Sequence, residues 1–347
     1  MEIVPATPAS EFQGIDNWIN TYSEGTHPTI KGLKGKIILL DCWTYTCIFC
    51  LRTIPIMKRL QQKYGQFGLE VIMAHSAEYE FAQDITNLRS AIQRYSVTNI
   101  PVGFDKYNKT WEAYGNTYWP KHILIDYNGF IRYEHAGYGC ISEFEESIRE
   151  LLEEIGQAGK LPEEREHNTP PDEIYDTYGI HFDGIAPELC VGYSRLRRFG
   201  NVQTIKPEEK ISIPKSATKL IVENSVYLYG NWVWRRECVQ SFKGSEKEGG
   251  QSEYSSILIK YNRASRVHAI MGTLDRQTKS VEVKIDGSYL TRSQLGKDAF
   301  LTDDGKSVSE VGWPHIYNLV KMDSPEVHEV EIICHGADFL FYTFVFG

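Results

Sequence analysis

The chain has 347 residues, which at roughly 100–200 residues per domain predicts two domains. Its composition, 41% hydrophobic and 24% charged, is typical of a globular protein with enough apolar residues for two buried cores. The net charge of −9, with no long basic run, argues against nucleic acid as a partner, because phosphate binding needs clustered Lys and Arg.

Neither an export signal nor a membrane span is evident. The first residues, MEIVPATPASEFQG, lack the basic and apolar regions of a signal peptide, and no window approaches 18 consecutive apolar residues. We therefore expect a cytoplasmic location for the sequence as it stands. An extracytoplasmic location is expected if an export segment has been removed.

The first half alternates strand and helix signals, and its order predicts a mixed sheet with helices on both faces. Short apolar runs predict buried strands, and Asn128-Gly129 is a strong hairpin signal. Ser142 and Glu145 stand at capping-box positions and predict the start of the last helix. In chain order, the predicted elements are strand 36–41, helix 47–64, strand 69–74, helix 84–95, strand 100–104, helical turn 109–114, strands 122–126 and 131–135, and helix 142–155.

The second half lacks a convincing helix signal. Residues 158–185 are polar and rich in proline and charge, which predicts a linker between domains at 1–157 and 186–347. About eight short strands with turn signals between them predict a β-sandwich of the jelly-roll kind. The predicted strands are 219–222, 226–235, 255–261, 267–271, 280–285, 315–319, 327–334 and 339–346.

Two cysteines, Cys47 and Cys50, stand where a predicted strand gives way to a predicted helix. The first turn of a helix carries unpaired N–H groups and the positive end of the helix dipole, which stabilise a thiolate at Cys47. Two intervening residues in a helical turn bring Cys50 close enough to form a disulfide. The pattern predicts a redox dithiol that needs no other cofactor.

A metal site is the alternative for a Cys-x-x-Cys pair. Zinc or an iron–sulfur cluster needs a second pair of ligands at suitable spacing. The remaining Cys and His residues are isolated, apart from Cys334-His335. We therefore predict no metal.

The residues around the dithiol resemble the active-site segment of the thioredoxin fold. In DCWTYTCIFCLRTIP, Asp41 lies six residues before Cys47, as the buried Asp of thioredoxins does, and Pro55 lies five after Cys50, where their helix is kinked. YWPKHILID resembles the segment with the cis-proline that faces the active-site disulfide, which makes Pro120 that residue.

The resemblance is stronger to the TlpA/ResA-like branch, and within it to DipZ-like proteins, over nearly the whole chain. It implies an α/β thioredoxin fold followed by an all-β sandwich that resembles carbohydrate-binding modules. Phe49 departs from this family, which usually has Asn there, and its N-terminal membrane portion, which supplies electrons, does not occur in this sequence. The segments that carry the resemblance include EFQGIDNWINT, HSAEYEF, PELCVGYSRL and FYTFVFG.

This resemblance implies a thiol–disulfide oxidoreductase that reduces disulfide-containing proteins, with an electron donor that stays unidentified. Cys47 attacks the substrate disulfide, and Cys50 resolves the mixed disulfide. Asp41 is expected to take the proton of Cys50. Glu78 matches the acid that TlpA/ResA-like proteins keep near their cysteines, and a solvated loop Glu is the alternative.

Other residues are expected to shape the site. Pro120 would present backbone to a substrate peptide, and Trp43 and Trp119 would wall the site or belong to the core. Cys140 follows a stretch where thioredoxins place a loop that borders the substrate groove, so it is either a third redox thiol or an idle one. Cys42 is expected to pack on the sheet face opposite Asp41, because side chains alternate along a strand.

Two other functions stay open. A glycan- or protein-binding module with a vestigial redox domain would draw on aromatic residues that alternate along one strand: Tyr227, Tyr229, Trp232 and Trp234. A thiol peroxidase would draw on Thr44, three residues before Cys47, although Leu40 stands where the peroxiredoxin motif needs Pro.

Overall fold

The chain forms two compact units, Met1–Asp176 and Thr177–Gly347, and each is described by itself. The computed structural model describes residues 2–21, 27–163, 177–179, 186–195, 199–202, 204–215, 221–244 and 254–347. The boundary falls within the predicted linker, most of which lies outside the described residues. Among the residues described, no helix combines the length and the apolar composition needed to cross a bilayer.

The first unit is an α/β domain with a seven-stranded mixed sheet. Its strands are β1 (Glu2–Pro8), β2 (Trp18–Ile19), β3 (Ile37–Trp43), β4 (Leu69–Ser76), β5 (Val102–Asp105), β6 (Lys121–Ile125) and β7 (Phe130–Ala136). Its helices are α1 (Ile48–Tyr64), α2 (Ile85–Arg94), α3 (Lys109–Ala113) and α4 (Ile141–Leu152).

The sheet order in the first unit is β1-β7-β6-β3-β4-β5-β2. The central strands β3, β4 and β5 run parallel, and β6 and β7 add an antiparallel hairpin beside β3. Every residue of β3 and β4 is buried, which explains their continuous apolar runs. The predicted order of elements is confirmed, whereas β1 and β2 were not predicted.

The predicted cap of the last helix in this unit is wrong. Helix α4 begins one residue before Ser142, and Cys140 precedes it with a φ of 54° and no capping bond from its side chain. Glu145 does not reach back to the helix start. It is buried, and it accepts hydrogen bonds from Tyr64 Oη at 2.6 Å and Lys63 Nζ at 3.0 Å. An acid that resembled a capping residue therefore joins α4 to α1.

Removing that buried acid is expected to destabilise the first unit. Glu145→Ala leaves Tyr64 and Lys63 without their shared acceptor, so we expect a loss of about 3 kcal/mol in the free energy of unfolding. Pulsed labelling of the buried Cys42 across a urea series, read by peptide mass spectrometry, reports this unit alone. Glu146→Ala, one residue further on an exposed position, should change stability by less than about 0.5 kcal/mol. Equal losses in the two variants would contradict the assignment.

The second unit is rich in strands, which hydrogen bonds join into an eleven-stranded sheet. Its strands are β8 (Leu189–Cys190), β9 (Lys210–Ile213), β10 (Ser225–Trp234), β11 (Val239–Ser241), β12 (Ser255–Thr273), β13 (Lys279–Ile285), β14 (Ser288–Tyr289), β15 (Phe300–Leu301), β16 (Ser307–Val311), β17 (His315–Cys334) and β18 (Phe339–Phe346). Their order is β15-β16-β13-β17-β12-β10-β11-β18-β8, with β14 on β13, β9 on β10, and an additional pairing of β12 with β18.

Two long strands organise this unit. The predicted strands 255–261 and 267–271 form the single strand β12, whose pairing with β17 shifts around Ala264. The predicted strands 315–319 and 327–334 likewise form the single strand β17. The predicted strand 219–222 falls partly outside the described residues, and its described part is not a strand.

Candidate active site

The two cysteines of the motif differ in exposure because of their place on α1. Cys47 stands just before the helix as its N-cap residue, with extended backbone (φ −110°, ψ 119°), and is half-buried. Cys50 lies in the first turn and is 0% exposed. Both are free thiols in the structure. Cys47 is therefore the thiol that a substrate can reach.

Burial keeps Cys50 protonated. It raises the pKa of the Cys50 thiol well above that of an ordinary cysteine, and the hydrogen bond to Cys47 and the negative charges of Cys47 and Asp41 act in the same direction. By contrast, Cys47 stands just before the first turn of α1, at the positive end of the helix dipole; this turn contains no acidic residue, and the Cys47 side chain makes no capping hydrogen bond. The pair thus combines an accessible thiol with one that needs a proton acceptor.

The segment before β6 lies against the accessible thiol. The Trp119–Pro120 peptide bond is cis, as predicted, and Cys47 Sγ lies 3.8 Å from the carbonyl oxygen of Trp119. The Trp119 ring is half-buried and stacks on Trp111 at a centroid distance of 4.4 Å. Tyr118, which the sequence analysis missed, is 67% exposed beside it. The backbone of Trp119 therefore borders the sulfur.

Trp43 takes a different place from Trp119. Its ring has no exposed surface and packs edge-on against His75 at 5.5 Å. His75 also stacks on Tyr45 at 5.1 Å, and burial lowers the pKa of His75 to about 3. His75 is thus a neutral packed residue. The predicted position of Trp43 on a substrate-facing wall is not supported, since a substrate cannot touch a fully buried ring.

Asp41 is fully buried on the central strand β3 of the sheet. It lies on β3 between Met73 of β4 and His122 of β6, and it is 0% exposed. Its Oδ1 atom lies 3.2 Å from His122 Nδ1, but the contact lacks hydrogen-bond geometry, so neither carboxylate oxygen has a donor among the described residues. Its charge acts on Cys50. A buried carboxylate without donors is well placed to accept a proton.

Glu78 contacts the segment before Cys47 through a hydroxyl. Thr46 Oγ1 donates to Glu78 Oε2 at 2.6 Å, and the hydroxyls of Thr44 and Thr46 are 3.0 Å apart. Thr46 is the residue immediately before Cys47. Glu78 is therefore an anchor for the loop that presents the attacking thiol, which sequence alone could not specify.

Loss of this anchor is expected to slow the attack by Cys47. Glu78→Ala removes the acceptor of Thr46, and we expect about a fivefold slower reaction of Cys47 with a small disulfide, because the thiol loses a fixed position. Glu78→Gln keeps an oxygen acceptor and should retain most of the rate. Stopped-flow reaction with 5,5′-dithiobis(2-nitrobenzoate), here called DTNB, measures both variants. An unchanged rate in Glu78→Ala would show that the loop holds its shape without Glu78.

The remaining cysteines lie outside the Cys-x-x-Cys pair and differ in burial. Cys42 belongs to an apolar core cluster with Ile38 and Leu40 and is 0% exposed, and burial raises its pKa to about 12. This agrees with the expectation that Cys42 is packing. Cys140 is half-buried, and its redox role stays a prediction. The other three are buried and form no disulfide: Cys190, Cys238 and Cys334. The described residues contain no cluster of three or more potential ligands that could hold a metal ion.

The aromatic residues of β10 offer no binding platform. All ten residues of this strand are buried, and Trp232 and Trp234 are both 0% exposed within the core of the second unit. Tyr227 is 0% and Tyr229 is 4% exposed. The alternation along the strand therefore reflects packing, and it gives no support to glycan binding at this strand.

Comparison with known proteins agrees with the thioredoxin-like fold of the first unit. Residues 35–131 match the family model described as "Thioredoxin-like", and residues 186–347 match the one described as "Thioredoxin like C-terminal domain". The chain is 28% identical to the thiol-disulfide oxidoreductase ResA of Bacillus thuringiensis over 39% of this chain and 75% of that protein. The first unit thus contains a region that matches the thioredoxin-like family model, which agrees with its α/β fold.

A more extensive relative covers both units. The chain is homologous to Protein DipZ of Mycobacterium bovis, with 28% identity over 302 residues, which is 85% of this chain and 40% of DipZ. The chain therefore spans less than half of that protein's length. Among solved structures, the exposed lipoprotein thioredoxin Etrx1 of Streptococcus pneumoniae aligns with 41% of this chain and 98% of its own, at 23% identity and a TM-score of 0.35.

Proposed function

We propose that this chain reduces disulfide bonds in proteins through the Cys47–Cys50 dithiol. The observation that carries the proposal is the asymmetry of the pair, in which the half-buried Cys47 stands at the start of α1 and the buried, protonated Cys50 lies behind it. An accessible nucleophile and a shielded resolving thiol are what a two-step exchange requires.

In the first step, the Cys47 thiolate attacks one sulfur of a substrate disulfide, and the other substrate sulfur leaves as a thiolate. In the second step, Cys50 gives its proton to Asp41 and attacks the Cys47 sulfur. The Cys47–Cys50 disulfide forms, and the remaining substrate sulfur is released. Two electrons pass to the substrate, so a dithiol donor must then reduce the Cys47–Cys50 disulfide. The reaction uses no cofactor beyond this pair.

The substrate segment is expected to lie along the residues before Pro120. The Trp119 carbonyl oxygen lies 3.8 Å from Cys47 Sγ, and Tyr118 next to it is largely exposed. A backbone acceptor near the thiol, next in sequence to an exposed aromatic residue, suits an extended peptide that carries a disulfide. Tyr118 and Trp119 are therefore proposed as substrate contacts.

The thiol peroxidase alternative has less support. A peroxidatic threonine would direct its hydroxyl toward the reacting sulfur, whereas the Thr44 hydroxyl pairs with that of Thr46. Turnover of insulin disulfides and of hydrogen peroxide, measured with the same dithiothreitol supply, tests the proposal. We expect insulin reduction to be faster. Peroxide turnover without insulin reduction would overturn it.

A further inference from the structure

Three titratable residues form a row across adjacent strands of the first unit. Asp41 of β3 is paired with His122 of β6, and His122 is paired with His135 of β7. Residues directly opposite each other in antiparallel strands have side chains on the same face within about 5 Å at Cβ. The edge of Phe144 from α4 contacts both imidazoles, with ring centroids 5.7 Å from His122 and 6.2 Å from His135. The three residues therefore lie side by side on one face of the sheet, and Phe144 packs against both imidazoles.

Exposure rises along this row. The Asp41 side chain is 0% exposed, that of His122 is 4% exposed, and His135 is half-buried. A proton that Cys50 gives to Asp41 has no direct path to water, and it must leave before the next turnover. Among the described residues, His122 is the titratable group in contact with the Asp41 carboxylate, at 3.2 Å. Imidazole is the side chain best suited to take up and release protons near neutral pH.

We infer that His122 is a positioning residue that acts through Asp41: it takes up the proton that Asp41 receives from Cys50 and passes it toward His135 and solvent. The inference rests on the proposed function. After Cys50 has attacked, the proton on Asp41 Oδ1 moves to His122 Nδ1, and His122 releases a proton from its other ring nitrogen. Asp41 is then ionised again. No oxidant or reductant enters this transfer.

The surroundings of His135, at the exposed end of the row, favour release of a proton there. Burial and the charge of His122 lower the pKa of His135, while Glu143 of α4 opposes this shift. Near neutral pH, His135 is therefore neutral and gives up a proton readily. At the inner end of the row, the charge of Asp41 acts on Cys50 of α1.

Stopped-flow reaction of the reduced full chain with DTNB separates the two chemical steps. Cys47 releases the first thionitrobenzoate, and Cys50 releases the second as it closes the disulfide. All variants carry Cys140→Ser, because Cys140 is a half-buried thiol that reacts with the same reagent. We expect His122→Asn and His122→Leu to leave the first release within twofold and to slow the second about tenfold at pH 7. The second release should also become more dependent on pH.

A double-mutant cycle separates this role from a structural one. In the Asp41→Asn background, His122→Asn should slow the second release by less than twofold further, because the proton no longer passes through Asp41. His328→Asn is the matched control, since His328 also contacts a carboxylate, Asp286, at 2.7 Å in the second unit. It should change neither release.

An unchanged second release in both His122 variants, or the same tenfold slowing in the Asp41→Asn background, would overturn the inference. If the proposed function is wrong, the same experiment gives a different result. In that case the chain without substitutions at His122 would release one thionitrobenzoate or none from the Cys47–Cys50 pair.

Discussion

Replacing Cys47 with serine is expected to abolish disulfide reduction, with a loss of at least about 1,000-fold in rate. Serine cannot form a disulfide, and Cys50 cannot substitute as the attacking thiol because it is 0% exposed and its pKa is raised. Burial hides this sulfur from a protein substrate and keeps it protonated. Insulin reduction with dithiothreitol, corrected for the uncatalysed rate, measures the loss.

The Cys50→Ser variant should fail at a different step. Cys47 can still attack, so a mixed disulfide with the substrate should accumulate and appear in nonreducing mass spectrometry. Cys140→Ser serves as the control and should retain activity within about twofold. Reduction by the Cys47→Ser, Cys50→Ser double variant at the original rate would contradict the assignment of the dithiol. A persistent mixed disulfide on Cys140 would instead assign it a redox role.

Asp41→Asn is expected to slow the resolving step about 100-fold at pH 7, which is a typical contribution of a general base. Cys50 must lose its proton before it attacks, and Asp41 is a buried carboxylate without a hydrogen-bond donor among the described residues. The amide cannot accept this proton. The attack by Cys47 should change little, because it does not need this acceptor.

The raised pKa of Cys50 predicts how the rate of the resolving step in Asp41→Asn changes with pH. Because the pKa of Cys50 is raised, its thiolate fraction near neutral pH is small and grows tenfold with each pH unit below that pKa. The second thionitrobenzoate release of Asp41→Asn should therefore rise steeply with pH. The negative charge of Asp41 also raises the pKa of Cys50, so removal of this charge makes direct ionisation of Cys50 easier. The difference in the rate of the second release between Asp41→Asn and the unsubstituted chain should therefore become smaller at high pH. A constant gap from pH 6 to 9 would argue against proton acceptance by Asp41.

Local patterns predicted the elements that hold the site. The continuous apolar runs of β3 and β4 predicted buried parallel strands, because a strand covered on both faces has no polar side. The spacing of Cys47 and Cys50 predicted a dithiol at a helix start, since one helical turn determines their separation. These features depend on neighbours in sequence, and the structure agrees with them.

Predictions from local sequence patterns were wrong where contacts with residues distant in sequence determine the structure. Glu145 stood at a capping position, yet it binds Tyr64 and Lys63 of another helix. The predicted break inside β12 was wrong because its two parts continue through shifted pairings with β17. The alternating aromatic residues Trp232 and Trp234 resembled a binding platform, yet both lie in the core.

Sequence alone was enough for the dithiol, which is a short motif with a fixed spacing, and the resemblance to the thioredoxin fold supplied the cis-proline segment and the acid six residues before Cys47. Tertiary structure was needed for the contacts that give those residues their chemistry. His122 reaches Asp41 through the antiparallel register of β3 and β6, and Glu78 reaches Thr46 from the end of another strand. Strand register and the closure of the chain around α1 bring these groups together. The spacing of residues along the sequence determines neither the strand register nor this closure. The surroundings of the buried Asp41 carboxylate are therefore known only from the assembled sheet.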